Sequence, residues 1–209
     1  MKITRYESDL LCSSMYLISE QNHAIVIDPY RNTDMLSGLQ VDKIILTHEH
    51  YDHISGVNDW KRKTGASVLC SKICAEHIRD PRKNMAAYFE AFCELQGWVT
   101  LDSIPQAVIN YTCEADETFE GEMKFDWFGH RFCLFELPGH SLGSIGILLD
   151  HHYFFSGDSL LEGRDIELRL PGGSRKLWEK TGSARLAQVP EGVTVYPGHF
   201  KEFKLIKDE

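Results

Sequence analysis

Residues 47–58 read THEHYDHISGVN, which sets His48, His50, Asp52 and His53 within six positions directly after the apolar run KIILT. Side chains of this kind cost free energy to bury unless something nearby binds them. Three later stretches repeat the arrangement singly: PGHSLGS holds His140, FSGDSLLEG holds Asp158 and VYPGHF holds His199. Each is a ligand-type residue at the end of an apolar segment, flanked by Gly or Pro, and sheet ends of that kind gather binding sites. One catalytic zinc takes about three protein ligands and keeps a place for water. Seven candidates overfill one such site and suit a pair of ions with one carboxylate shared. In an extended segment positions 48 and 50 project to the same side, so they can chelate one ion. Asp52 and His53 need a turn to converge and can then serve the second. Two ions about 3.5–4 Å apart can activate a water near neutral pH and clamp the oxygens of a hydrolytic transition state. Imidazole and carboxylate ligands without cysteine fit zinc, iron or manganese.

The segments around these residues predict the frame that positions them. KITRYES, SMYLISE, AIVIDP, VDKIILTH and ASVLCS read as strands, with EQNH as a turn between the second and third. The unbroken apolar stretch in VDKIILTH predicts burial on both faces. SGVNDWKRKTG predicts a helix capped by Ser55 and ended at Gly65, and TDMLSGL a short one. Residues 72–110 form a helical insertion of mixed charge, interrupted at Pro81. MKFDWFGHRFCLFELPG predicts a hairpin turning at FGH, followed by strands SIGILLD and YFFSGD, a glycine-rich loop, a helix over RKLWEKTGSARLAQV and a last strand, VTVYPGH. Alternating strands and helices argue for α/β layers in one domain over residues 1–209.

Composition narrows the partners. The chain carries 22 Lys and Arg against 31 Asp and Glu, a net charge of −9, which repels a phosphate backbone and argues against nucleic acid as a partner. No run resembles a membrane span and MKITRYESDLL is too charged for a secretory signal, so the expected setting is the cytoplasm, with a small molecule as substrate. Six cysteines without a leader predict free, mostly buried thiols, although the spacing of Cys70 and Cys74 leaves half a metal site as an alternative. Tyr88, Phe89, Phe92 and Trp98 are available either to overhang the site or to bury a homodimer contact. Arg164 and Arg169 follow Asp158 and can meet an anionic substrate or remain loop charges. His23 and His130 are expected in turns, His77 on a charged helix, and His151 and His152 in a turn, none as ligands; Glu49 and Tyr51 are expected to point away from the metals.

HEHYDH followed in order by His140, Asp158 and His199, with Asp28 in IVIDP ahead of it, resembles the metallo-β-lactamase superfamily from IVIDP to VYPGH. The resemblance implies an αββα sandwich with the metal site at one edge. It implies that His48, His50 and His140 bind a first metal, Asp52, His53 and His199 a second, and that Asp158 bridges the two. Asp52 is also implied to orient the nucleophile, and Asp28 to support the loop that carries the hexapeptide. THEHYDHISG, PGHSLGS and FSGDSLLEG are most similar to the glyoxalase II type, the hydroxyacylglutathione hydrolases, and their short bacterial relatives. That likeness implies a dinuclear hydrolase of a thioester or related ester with two divalent ions, zinc first. The glyoxalase II type adds a C-terminal helical domain that contributes to glutathione binding, for which the residues after His199 are expected to be too few. Persulfide dioxygenases share the fold and use His48-, His140- and Asp158-type ligands for a single iron, which makes an iron oxidoreductase the alternative. Nuclease activity and a non-catalytic module stabilised by metal rank below both.

Overall fold

Alternation along the strands sorts their side chains into two separate cores. In β2 (Ser14–Glu20) Tyr16 and Ile18 face one way and Met15 and Leu17 the other; β3 (His23–Ile27) divides Ile25 and Ile27 from Ala24 and Val26 in the same manner. β4 (Gln40–Ile45) contributes Ile45 to the first set and Ile44 to the second, so the expectation of burial on both faces is met. The computed structural model describes residues 1–36, 38–95 and 108–207, without the side chains of Phe92 and Leu95.

β1 (Lys2–Glu7) pairs with β2 and β2 with β3 antiparallel, whereas β3, β4, β5 (Ser67–Ser71) and β6 (Glu117–Phe119) run parallel, giving one six-stranded sheet in chain order. The second sheet has the order β12-β11-β10-β9-β8-β7, built from β7 (Glu122–Trp127), β8 (His130–Glu136), β9 (Ile145–Leu149), β10 (Tyr153–Gly157), β11 (Thr194–Pro197) and β12 (Phe203–Lys204). Only β10 and β11 are parallel in it. Between the sheets lie Tyr16, Ile25, Ile45 and Leu69 from the first and Phe132, Leu134, Ile147 and Phe155 from the second. The outer face of the first sheet is covered by α1 (Tyr51–Ile54), α2 (Val57–Thr64) and α3 (Lys72–His77), through Ile54, Val57, Trp60, Cys74 and Ile78. The outer face of the second packs Phe135, Leu148, Phe154 and Val195 against Trp178 and Leu186. The layers are therefore α, β, β, α, the expected sandwich.

Several local expectations need correction. Ser55 does not cap α2: the N-cap is Gly56, which makes no side-chain cap, and the Ser55 hydroxyl is buried without a partner. Gly65 does end the helix, in the left-handed conformation (φ 69°) that glycine adopts freely. Of the helix expected after Pro81, the described residues form one 3-10 turn, Ala86–Tyr88, and α4 (Phe89–Leu95), and its last residues lie outside the described ones. The later helix is a composite, with a wider π turn at Trp178–Gly182 between Arg175–Leu177 and Ser183–Leu186. β6 and β12 were not expected, being three and two residues long. His23 and His130 do not sit in turns but open β3 and β8, where their Nδ1 atoms pair with Asp42 at 2.8 Å and Asp150 at 2.6 Å. His151 and His152 occupy the expected turn.

The thiols of Cys70, Cys74 and Cys113 lie in the apolar core under the first sheet, and burial pushes the Cys113 thiol up to about 12 and that of Cys74 well above its usual value. The Cys74 thiol stays protonated, and among the described residues no group of potential ligands includes Cys70 or Cys74, which removes half a metal site as their reading. Phe89 packs edge-on against Tyr51 with ring centroids 4.9 Å apart, Tyr88 is exposed, and Trp98 and the Phe92 side chain lie outside the described residues.

Gly56 joins the Asp28–Tyr30 segment to the start of α2. Its N–H donates to the Pro29 carbonyl at 2.8 Å, and a Cβ there would overlap the Tyr30 carbonyl. Gly56→Ala is expected to lower stability by about 1–3 kcal/mol, as overpacking does. Urea unfolding followed by circular dichroism measures it, and an unchanged midpoint would show that the contact relaxes at no cost.

Candidate metal centre

Every candidate ligand emerges from the same edge of the sandwich. His48 follows β4, His140 lies between β8 and β9, Asp158 follows β10 and His199 follows β11. Main-chain bonds lace the two sheets together there: Ile145 N–H donates to Thr47 O at 2.8 Å, and Ser14 N–H to Gly198 O at 2.7 Å. The Tyr16 hydroxyl donates to Pro197 O at 2.6 Å. The turn that Asp52 and His53 require is supplied by α1, whose residues are all buried.

Asp28 fixes the loop that carries the hexapeptide. It follows β3 with φ 51°, a left-handed conformation that aspartate tolerates better than most residues. Its Oδ1 accepts from Thr47 N at 2.7 Å, and its Oδ2 accepts from Thr47 Oγ1 at 2.5 Å and from His53 Nδ1 at 3.1 Å. Burial raises the pKa of this carboxyl, while the donors from His53 and Thr47 pull it down.

The five histidines share one hydrogen-bonding logic. His53 Nδ1 donates to Asp28, His140 Nδ1 to Glu167 O at 3.0 Å, His199 Nδ1 to Leu11 O at 3.1 Å, and His50 Nε2 to Pro171 O at 3.2 Å. Thr47 Oγ1 spends its proton on Asp28, so its oxygen accepts from His48 Nδ1 at 3.0 Å. Each outward bond uses the proton of one ring nitrogen, so in the neutral ring it is the opposite nitrogen that offers a lone pair. Those five opposite nitrogens face inward. His48 Nε2 is buried with no hydrogen-bond partner, as is Asp158 Oδ1.

The inward atoms form two sets, His48–His50–His140 and Asp52–His53–His199, each with its ligand atoms within 4.8 Å of one another. Donors about 2.0–2.1 Å from a tetrahedral ion stand about 3.3–3.4 Å from each other. His53 Nε2 lies 3.3 Å from Asp52 Oδ2, and His199 Nε2 lies 3.4 Å from it. In the first set, His140 Nε2 lies 3.0 Å from His50 Nδ1. Asp158 reaches both sets, at 3.3 Å from His199 Nε2, 3.5 Å from His53 Nε2 and 3.6 Å from His140 Nε2. Asp28, His48 and His53 also cluster, but both oxygens of Asp28 are engaged by Thr47 and His53, which makes it a support.

The electrostatics call for positive charge. Burial opposes ionisation of Asp52 and Asp158, yet His53 and His199 hold both carboxyls well below the ordinary carboxylate range. Burial also opposes protonation of His53 and His199. Asp52 and Asp158 overcome it, lifting His199 to about 10 and His53 well above 6.5. Burial dominates at His48 and His140, lowering the latter to about 4. Two buried carboxylates thus draw protons onto the two nearest imidazoles, and a divalent cation can take the place of those protons.

Glu49 points away from the ligand atoms, as expected, but its function in the fold was not anticipated. It is wholly buried and accepts from His77 Nδ1 at 2.9 Å, Ser141 Oγ at 2.8 Å and Gly143 N at 3.3 Å. It therefore ties the hexapeptide to the loop that carries His140. A Cβ at Gly143 would stand 2.5 Å from Glu49 Oε2, so the glycine in PGHSLGS was the sequence signal for this close approach. Burial raises the Glu49 pKa, but the bonds from His77 and Ser141 outweigh it and leave it lowered. Tyr51 also faces away, accepting from Arg31 Nη2 at 3.0 Å. Arg169 is engaged by Glu167 at 2.6 Å, whereas Arg164 lies over the ring of Phe200, 4.3 Å from its centroid.

Among the described residues no helix is long and apolar enough to cross a membrane. The family model of the metallo-beta-lactamase superfamily matches residues 10–199. The chain is 27% identical over 189 residues to a hydroxyacylglutathione hydrolase of Photobacterium profundum, covering 87% of this chain and 58% of that relative, so it spans less than two thirds of the relative's length. It is 24% identical to the probable metallo-hydrolase YqgX of Bacillus subtilis, covering 100% of this chain and 95% of that one. The crystal structure of the BLEG-1 B3 metallo-beta-lactamase superposes with a TM-score of 0.79 at 23% identity, covering 97% of this chain and 94% of that one, a likeness of fold. The His and Asp clusters able to hold metal thus stand on a sandwich with known relatives: this chain belongs to the metallo-β-lactamase superfamily.

Proposed function

We propose that this chain is a dinuclear metallohydrolase of a thioester or related ester, with zinc as its first-choice ion and a small molecule as its substrate. The observation that carries the reading is the convergence of five imidazole nitrogens and two carboxylates, each ring fixed from outside by a hydrogen bond. His48, His50 and His140 would hold one ion and Asp52, His53 and His199 the other, with Asp158 shared. When bound, such a pair supplies a water acidified to near neutrality and polarises a carbonyl oxygen. Asp52 has an oxygen among the inward atoms, where it can accept a proton and orient the attacking water. A thiolate leaving group needs little protonation, so no separate protein acid is required. A relative named hydroxyacylglutathione hydrolase supports the thioester class. A single-iron site would leave Asp52, His53 and His199 converged with no ion to share, which favours the two-ion reading over a persulfide dioxygenase.

Asp158→Ala removes a carboxylate that reaches both sets, so the metal content should fall below two ions per chain and thioester turnover should be lost; two tightly held ions by elemental analysis would refute the sharing. Asp28→Ala leaves every ligand in place but releases His53 and Thr47. Metal affinity should weaken about 10–100-fold, the usual cost of losing an outer hydrogen bond to a ligand, and an unchanged affinity in a chelator competition would show that Asp28 only stabilises the fold.

The raised pKa values of His53 and His199 set a pH dependence. At pH 7 and without a cation both rings carry the extra proton, since His199 titrates at about 10 and His53 well above 6.5. An entering cation displaces those protons, so its affinity rises with pH and falls as the solution is acidified. Zinc titration by calorimetry in buffers of different ionisation enthalpy should record proton release at pH 7. Zinc binding without proton release would contradict this charge balance.

A further inference from the structure

Beside the candidate centre lies a cavity of about 340 Å³ lined by His140, Asp158, Leu161, Arg164, Asp165 and Glu167. Among the described residues that line it Arg164 is the one cationic side chain, and the charges around it are unequally placed. Glu167 is engaged by the exposed Arg169 in a two-point pair, at 2.9 and 2.6 Å. Asp165 lines the same cavity, yet among the described residues no carboxylate comes within ion-pair distance of Arg164. Its guanidinium instead lies 4.3 Å from the centre of the Phe200 ring.

Phe200 combines two features that also meet at Phe128 in the β7–β8 turn. It is 47% exposed, one of few large apolar side chains left so among the described residues, and its φ of 68° places a bulky aromatic in the left-handed region. That conformation strains a non-glycine residue, and such outliers gather at functional sites. Phe200 directly follows His199, with ring centroids 6.3 Å apart, so the same strained turn that presents a ligand imidazole also presents the platform under Arg164. Stacking on an aromatic face fixes the plane of a guanidinium and leaves its N–H edge free for a two-pronged bond to a carboxylate.

We propose that Arg164, oriented by Phe200, is a specificity-determining residue that binds a carboxylate on the substrate at a point removed from the reacting carbonyl. This deepens the proposed thioester reading and rests on it for the nature of the reaction, but the recognition is a binding property that can be measured without turnover. Arg164 selects which small molecules dwell in the cavity; the chemistry stays with the ligand cage.

Two thioethers that cannot be hydrolysed isolate the effect: 3-(benzylthio)propanoate and its neutral twin, 3-(benzylthio)propanamide. Calorimetric titration into the zinc-loaded protein should show the carboxylate binding about 10-fold tighter than the amide, as expected for a charge-assisted two-point bond. Arg164→Gln should abolish the difference and Arg164→Lys restore only part of it, because an ammonium lacks the planar fork. Phe200→Ala should reduce the difference while keeping the charge. Zinc content measured on each variant verifies that the cage is intact. A preference that survives in Arg164→Gln would place the carboxylate on the metals and overturn the proposal, as would equal binding of the two probes to the unaltered protein. Thioester hydrolysis with no such preference sinks this inference alone; the preference without hydrolysis of any thioester sinks the proposed reaction and leaves Arg164 as an anion reader.

Discussion

The site depends on hydrogen bonds that point away from it. Asp28, Glu167 O, Leu11 O, Pro171 O and Thr47 Oγ1 each take an N–H from one imidazole, and by doing so decide which nitrogen of that ring is left to face the centre. A histidine free to choose its tautomer would present a proton as readily as a lone pair. With the outward proton placed in advance, only the inward protons of His53 and His199 have to leave when a cation arrives. Asp28 is central because one carboxylate restrains the backbone of Thr47, its hydroxyl and the ring of His53 together.

The sandwich provides what those bonds require. Two sheets meet face to face over Tyr16, Ile45, Phe132 and Phe155, and their strand ends deliver four separate loops to one edge. The loops are laced to each other by Ile145 to Thr47, Ser14 to Gly198 and Ser71 Oγ to Gly143 O, the last at 2.8 Å. Glu49 adds a buried ionic tie between the hexapeptide and the His140 loop. Breaking one side of such a buried, fully bonded carboxylate costs more than the bond is worth when formed, because the remaining charge is left without a partner. Rigidity at the edge therefore comes from polar groups satisfied inside the fold, and the helices on the outer faces supply the apolar cover.

Much of this was legible in the sequence, for physical reasons. Strands such as SMYLISE and AIVIDP show themselves because each is buried on both faces or alternates cleanly, and the hexapeptide stands out because ionisable groups after an apolar strand are costly without a use. What stayed hidden depended on three dimensions. Glu49 looks like a surface residue until Gly143 and Ser141 approach it, and Arg164 and Phe200 meet only when the chain folds. β6 and β12 are too short to leave a pattern, and the Ser55 cap failed because the backbone of Gly56 has to lie against Pro29 and Tyr30. Cys70 and Cys74 carry a spacing compatible with metal, but the alternation of β5 sends Cys70, and the buried face of α3 sends Cys74, into the apolar core, away from the edge where ligands gather.

X-ray absorption on protein purified without added metal and dialysed against metal-free buffer would test the central claim most directly. The ligand cage predicts two ions per chain, a first shell of nitrogen and oxygen only, and a metal–metal vector at about 3.5–4 Å. A sulfur shell, or protein that retains no metal while fully folded, would contradict it.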